Sequence, residues 1–239
     1  MKITFLGTAH GIPEKDRRCS STLLEIEGNL YVVDMGLMTI EEIRRRELDV
    51  AALKGVFITH MHGDHVNGLP SLADLLCWYF TSADPVILLP AEKGCEAVRS
   101  WLSALDTQPR PLRLSAYGPG VIFDDGVLRV TAFKTGHTPT SHAFLCEAEG
   151  KRILFTGDLT NSAEDFPSEL FGMHLDLAVC ETAHVHPETY LPIWAKLSVD
   201  NVVLQHVQPR KEQEAIELAE RQRAHPRVTV GFDGMETEL

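Results

Sequence analysis

The segment His60-Met61-His62-Gly63-Asp64-His65 follows at once on the apolar run Gly55-Val56-Phe57-Ile58. A buried strand there would deliver three imidazoles and a carboxylate into one short loop. Metal ligands need lone pairs at short range, and imidazole with carboxylate suits zinc or a similar first-row ion. Two other apolar runs stop in the same manner. Ile153-Leu154-Phe155 leads to Asp158, and Val202-Val203-Leu204 leads to His206. Alone, Asp158 reads as a turn aspartate and His206 as a packed strand-end residue. Beside the histidine cluster, they read as parts of one site.

Strand-like and helical patterns alternate along all 239 residues. Residues 2–7, 21–28 and 29–36 read as strands, with turns at Gly28-Asn29 and after Gly36. Residues 38–48 read as a helix and 55–60 as the strand into the cluster. Residues 71–80 form a helical pattern capped at Ser71 or at Leu69, before Pro70. A strand over 85–90 and a helix over 91–105 follow. A proline-rich bend at 107–112, then Tyr117-Gly118-Pro119-Gly120, marks the middle of the chain. Beyond it, 127–136, 141–150, 151–158, 175–182, 201–206 and 227–235 read as strands, and 211–225 as an amphipathic helix. Strand-rich halves on either side of a bend predict two sheets packed face to face with helices outside. No low-complexity tract or linker marks a boundary, so residues 1–239 are expected to form a single domain.

Hydrophobic residues make up 44% of the chain and charged residues 23%, which leaves ample material for a core. The longest apolar runs are far too short to span a bilayer. The first eleven residues lack the apolar region and cleavage site of a signal peptide, so a cytoplasmic protein with no membrane partner is expected. The five cysteines are scattered and never form Cys-x-x-Cys, which fits reduced, mostly buried thiols. The net charge of −12 argues against long nucleic acid as a partner, because basic residues at phosphates supply most of that affinity. Arg44-Arg45-Arg46, preceded by Glu41 and Glu42, reads as a solvated helix face with local ion pairs. A small anionic substrate remains compatible with the acidic total, since bound metal ions reverse the local field.

Gly7-Thr8, Asp34 in YVVDMG, the His60–His65 cluster, His137, Asp158 in FTGD and His206 together resemble the metallo-β-lactamase superfamily, in order and over nearly the whole chain. The resemblance implies an α/β fold, a four-layer αββα sandwich with the metal site at one edge of the two sheets. It implies that His60, His62 and His137 hold one metal, that Asp64, His65 and His206 hold the other, and that Asp158 bridges both. Bridging needs a carboxylate with two usable oxygens, which an imidazole lacks. Two divalent ions are implied, zinc first, with manganese or iron as alternatives. Such a pair can bind a shared hydroxide and clamp a phosphate or carbonyl oxygen. Asp34 either orients a ligand histidine by a hydrogen bond or serves as a turn aspartate before Gly36.

Within the superfamily the chain looks most like the ribonuclease Z-like and small phosphodiesterase branch, on the stretches GTAHGIP, GHTPTSHAF and FDGM. That branch has a histidine followed four residues later by serine, then a short apolar strand. His137, Ser141 and Phe144 fit that spacing. His137 rather than His142 is then the metal ligand, and Ser141 and His142 become candidate substrate contacts. Enzymes of the branch that mature transfer RNA often carry a long glycine- and proline-rich arm between the third histidine motif and the bridging aspartate. Only twenty residues separate His137 from Asp158 here, and they read as two strands and a turn.

CETAHVHPE offers Glu181, His184 and His186. A phosphodiester's leaving oxygen must be protonated or otherwise stabilised, and imidazole suits that task. His184 is the first candidate for the acid, and His186 is the second or a substrate contact; both also read as plain loop histidines. His10, in a glycine-flanked loop, is a candidate for the pocket wall, whereas His174 and His225 read as surface residues. The expected function is a binuclear hydrolase of a small phosphodiester, such as a cyclic nucleotide or sugar cyclic phosphate. A metal-bridging hydroxide would attack phosphorus, with Asp64 assisting deprotonation and His184 assisting departure. The alternatives are an endonuclease on RNA 3′ ends of the ribonuclease Z type, a lactone or thioester hydrolase, and a non-enzymatic metal-binding sensor. An iron-based oxygen or nitric-oxide reductase fits less well, because iron enzymes resembling this fold commonly have glutamate where this chain has His62. The apolar segment 69–80 either packs on a sheet or forms the interface of a homodimer.

Overall fold

Antiparallel strands can be joined by tight turns, whereas parallel strands need a crossover, so the places of the helices decide how each sheet grows. The structure, a computed structural model, describes residues 1–106 and 110–239. In the first half, β1 (Lys2–Gly7), β2 (Ser21–Ile26) and β3 (Asn29–Val33) form an antiparallel meander. Helix α1 (Thr39–Arg45) leads to β4 (Leu53–Phe57). The short α2 (Gly63–Val66) and α3 (Leu69–Trp78) lead to β5 (Val86–Leu89), and α4 (Glu92–Ala104) leads to β6 (Arg113–Ala116). From β3 to β6 the pairing is parallel throughout.

The second half repeats the plan. Strands β7 (Gly120–Asp124), β8 (Arg129–Lys134), β9 (His142–Ala148) and β10 (Lys151–Phe155) pair antiparallel. Strands β11 (His174–Glu181), β12 (Ser198–Gln205) and β13 (Arg227–Val230) continue in parallel, with α5 (Leu191–Trp194) and α6 (Glu212–Arg221) in the crossovers. Strand β14 (Glu236–Glu238) then pairs with β1 at the edge of the first sheet.

Alternation along the strands sorts their side chains into three apolar layers. Phe5, Tyr31, Val33 and Phe57 of the first sheet meet Phe144, Phe155, Val179 and Val203 of the second between the sheets. Val32, Val56 and Ile58 point the other way and pack under α1, α3 and α4. Leu154, Ala178, Val202 and Leu204 pack under α5 and α6. These are the two sheets with flanking helices that the sequence predicts, and the central strands are apolar on both faces because both faces are covered.

The β2–β3 and β9–β10 hairpins close in the same way. Glu27 and Gly28 have φ of 51° and 77°, and Glu149 and Gly150 have φ of 51° and 73°. Two consecutive positive φ values make the turn whose twist matches that of the flanking strands, and glycine takes the second at no steric cost. The first turn therefore lies at Glu27-Gly28, one residue before the expected Gly28-Asn29. The second closes the stretch between His137 and Asp158 with no insertion.

Other expectations need adjusting. Strands β6, β7 and β14 went unmarked by pattern, because they are short and mostly exposed, so burial imposes no alternation on them. Helix α3 starts at Leu69 with Pro70 in its first turn; Gly68 is its N-cap, and neither Ser71 nor Leu69 caps it. The bend at 107–112 lies partly outside the described residues. All five cysteines are free, four of them buried. Arg45 pairs with Glu42 at 3.1 Å, Arg46 with Glu236 at 2.8 Å, and Arg44 lies over the Phe80 ring. Among the described residues no helix is long and apolar enough to cross a membrane.

The fully buried Phe144 joins both sheets through the central layer. Phe144→Ala is expected to cost about 3–5 kcal/mol, read as a lower urea midpoint with an unchanged slope.

Candidate metal centre

The loops that follow β4, β10, β11 and β12 leave the carboxyl ends of parallel strands, where open α/β sheets place their ligand sites. His60 and His62 lie in the first of these loops, with Asp64 and His65 in the α2 turn behind them. Asp158 follows β10, and the peptide before it turns at Gly157 with φ of 57°. A Cβ at Gly157 would lie 2.8 Å from the His142 carbonyl oxygen, so only glycine lets the Asp158 turn approach β9 this closely. His206 follows β12 and is itself in the left-handed region, at φ of 53°. Its neighbour Val207 donates its N–H to the Thr8 carbonyl, which holds that turn against the end of β1.

Two sets of donor atoms converge. In one, His62 Nδ1 lies 3.1 Å from both His60 Nε2 and His137 Nε2, and Asp158 Oδ2 lies 3.5 Å from each of those two nitrogens. In the other, His206 Nε2 lies 2.9 Å from Asp64 Oδ2 and 3.2 Å from His65 Nε2. Asp158 turns its second oxygen, Oδ1, to this set, 3.4 Å from His65 Nε2 and 3.6 Å from His206 Nδ1. Within each set the ligand atoms lie within 4.8 Å of one another.

These residues fit metal ions. Three imidazole nitrogens facing one atom's worth of space cannot all share protons pairwise, whereas their lone pairs suit a cation. Buried Asp158 Oδ1 and His206 Nδ1 have no hydrogen-bond partner, which is costly for polar atoms out of water unless something charged sits beside them. Burial, together with the neighbouring rings, holds His60 well below the ordinary imidazole pKa, so its lone pair is free. Burial opposes ionisation of Asp158 and Asp64, but the surrounding histidines hold both carboxyls well below the usual range.

Carboxylates outside the two sets hold the ligands in place. Asp34 Oδ1 accepts the N–H and hydroxyl of Thr59, and its Oδ2 lies 2.8 Å from His65 Nδ1. Thr59 Oγ1 lies 3.1 Å from His60 Nδ1, so one aspartate steadies a histidine in each set. Asp165 accepts the N–H of Gly136 and of Thr160, joining the His137 loop to the Asp158 loop. Glu181, buried at the end of β11, accepts the N–H of Leu159 at 3.3 Å and of His184 at 2.8 Å.

His184 stands at the open side of the cluster. Its Nδ1 lies 3.3 Å from Glu181 Oε1 and 3.6 Å from Asp158 Oδ2, and its ring centroid is 4.5 Å from that of His137. Glu181 beside it raises its pKa above the ordinary imidazole value. His184 Nδ1 with Asp158 and His206 also forms a third group of possible ligands.

The remaining sequence candidates are placed differently. Ser141 is buried, and its Oγ accepts from Thr135 Oγ1 and the Thr138 N–H at 2.9 Å, which braces the loop carrying His137. His142 is buried beside the Tyr117 ring, with no partner for either ring nitrogen, and its N–H donates to the Thr59 carbonyl across the two sheets. His186 is exposed and pairs with Glu214 of α6 at 2.9 Å. His10, partly buried, pairs with Glu14; His174 pairs with Asp200 at an exposed position, and His225 is exposed. The knitting by Thr59, Asp165 and Glu181 is invisible to spacing, although Glu181 ends an apolar strand as the ligands do.

A family model described as the metallo-beta-lactamase superfamily matches residues 15–206. Among curated proteins, a ribonuclease Z of Shouchella clausii is 35% identical over 156 residues, which is 63% of this chain and 49% of that protein. The chain spans about half the length of the curated relatives it matches. Among solved structures, human tRNase Z, short form, superimposes with a TM-score of 0.76 at 21% identity, over 100% of this chain and 99% of that one. A diphosphatase from the PhnP family gives 0.72 at 16% identity, over 100% and 97%.

Two measurements bear on this geometry. Asp34→Ala removes the brace from His65 and is expected to weaken metal binding about 10–100-fold, read by chelator competition. Burial pulls His142 down to about 4, so between the unfolded pKa near 6.5 and that value only the unfolded chain takes up its proton. Stability from this group is therefore full above about pH 6.5 and lost as pH falls towards 4. His142→Phe should shrink the difference between urea midpoints at pH 7 and pH 5.

Proposed function

Because the chain belongs to the metallo-beta-lactamase superfamily, we propose that it is a binuclear metal-dependent hydrolase of a small phosphodiester, a cyclic nucleotide or a sugar cyclic phosphate. His60, His62 and His137 would hold one ion, Asp64, His65 and His206 the other, with Asp158 between them, and zinc suits these donors first. When bound, such a pair supplies an activated water at neutral pH and offsets charge on the phosphate oxygens.

The observation that carries the reading is the position of His184, partly exposed beside the buried Asp158 on the open side of the ligand cluster, where His62 and His137 also reach solvent, and held next to Glu181. A donor there can give a proton to a leaving oxygen that sits over the cluster. Asp64 directs Oδ2 to His65 and His206, which leaves Oδ1 to accept a proton from the attacking water. Asp158 is fixed by the Gly157 turn and keeps both oxygens directed into the two donor sets.

The β9–β10 hairpin supports a small substrate: its two-residue turn closes the stretch between His137 and Asp158 without the arm that would be needed to grip a structured RNA, and the net charge of −12 points the same way. The likeness to a diphosphatase of the PhnP family is compatible with a small phosphate substrate. RNA 3′-end processing is the second reading, favoured by the ribonuclease Z relatives, and it calls for steeply salt-dependent binding to transfer RNA precursors.

The test is a panel of phosphodiesters, lactones and thioesters assayed with the bound metals quantified. Turnover of small phosphodiesters is expected, with Asp158→Ala lowering it by at least about a thousandfold while the circular dichroism spectrum is kept. Full turnover in metal-depleted protein, or turnover of carboxylic esters alone, would count against the proposal.

A further inference from the structure

The His184 loop is held from two sides. Its N–H is taken by Glu181, and its carbonyl is taken by Lys211, whose Nζ donates to the Ala183 carbonyl at 2.7 Å and to the His184 carbonyl at 2.9 Å. Lys211 comes from outside the site, at the residue before α6, and among the described residues no carboxylate lies within ion-pair distance of it. A lysine at a helix N-terminus meets the positive end of the helix dipole, so the helix gains nothing from it there. Burial lowers its pKa as well. Both local effects are unfavourable; the charges of Glu181 and Glu214 offset part of them, and the pair of loop carbonyls supplies the direct contacts.

Without Lys211, the His184 peptide would keep the Glu181 hydrogen bond on its N–H side, but no polar group would hold its carbonyl before the chain reaches buried Val185. The peptide could then pivot about the Glu181 hydrogen bond, and a ring on such a pivot loses the sub-ångström placement that proton transfer needs. We propose that Lys211 is a positioning residue for the hydrolytic reaction, holding the His184 peptide so that the imidazole stays over the leaving-group side of the Asp158 cluster. This inference rests on the hydrolase reading above and adds to it the device by which a helix outside the site sets the acid's place.

Leaving groups separate positioning from general stability. A p-nitrophenolate departs without a proton, whereas the alkoxide released from a nucleoside 2′,3′-cyclic phosphate needs one. The experiment compares kcat for bis(p-nitrophenyl) phosphate and adenosine 2′,3′-cyclic phosphate in metal-loaded wild type, Lys211→Met, Lys211→Arg and His184→Ala. Lys211→Met is expected to lower the cyclic-to-aryl ratio about tenfold or more at equal metal content, in the direction of His184→Ala, with Lys211→Arg restoring most of it. An unchanged ratio in Lys211→Met, even with both rates reduced together, overturns the proposal. The imidazole NMR resonances of His184, assigned by their loss in His184→Ala, give a readout free of substrate. Their displacement or broadening in Lys211→Met is expected, and an unaltered His184 signal overturns the positioning role. Wild type inactive on both esters would instead sink the phosphodiesterase reading, and the NMR comparison would then decide the role of Lys211 by itself.

Discussion

Asp158 is 2% exposed and lies among imidazoles, with each oxygen turned to a different set of nitrogens. Taking an ionised carboxylate out of water costs several kcal/mol unless opposite charge is placed beside it. Histidine can supply such charge as protonated rings or as ligands of a cation, and here His65 lies between Asp34 and Asp158 while His60 is held neutral. Five histidines, His60, His65, His137, His184 and His206, lie within 3.6 Å of this one carboxylate. The fold must deliver them all to the same point, and the rest of the architecture follows from that demand.

The delivery is made by two sheets that repeat one plan, an antiparallel meander followed by parallel strands. Parallel strands bring their carboxyl ends to one edge. The first sheet contributes the His60–His65 loop there, and the second contributes Asp158, Glu181 and His206. Loops are the flexible part of such a scheme, and charged side chains pin them. Asp34, Asp165 and Glu181 collect N–H groups, while Lys134 donates to the carbonyls of Thr135, Thr138 and Ser141 and so does for the His137 loop what Lys211 does for His184. Each pin satisfies backbone groups that the cluster would otherwise leave buried without partners.

Much of this was legible in the sequence, and the physics explains which parts. Apolar runs that stop at His60, Asp158 and His206 are visible because a strand covered on both faces must be continuously apolar until it reaches the site. The layering was legible for the same reason. Ser141 and His142 look like substrate contacts by spacing, yet one is consumed in bracing its own loop and the other is buried against Tyr117. Distance along the chain cannot tell a hydroxyl that faces a cleft from one that faces its own backbone. Lys211, Asp165 and Thr59 were invisible because their partners are backbone atoms from remote elements, which leave no pattern in residue type. Strands β6, β7 and β14 escaped because edge strands half in water carry no obligatory alternation.

The hydrogen bond from the His142 N–H to the Thr59 carbonyl crosses from the second sheet to the first, one residue from His60 and five from His137. Between the sheets lies a largely apolar layer, whose packing tolerates small sliding because dispersion has little directional preference. At this edge the contact is directional, and the ligand sets span the same gap. The candidate metal centre would thus also be a clasp on the sandwich: ions bound there would fix the sheets' mutual register, and the cleft's shape would answer to metal occupancy as well as to the chain.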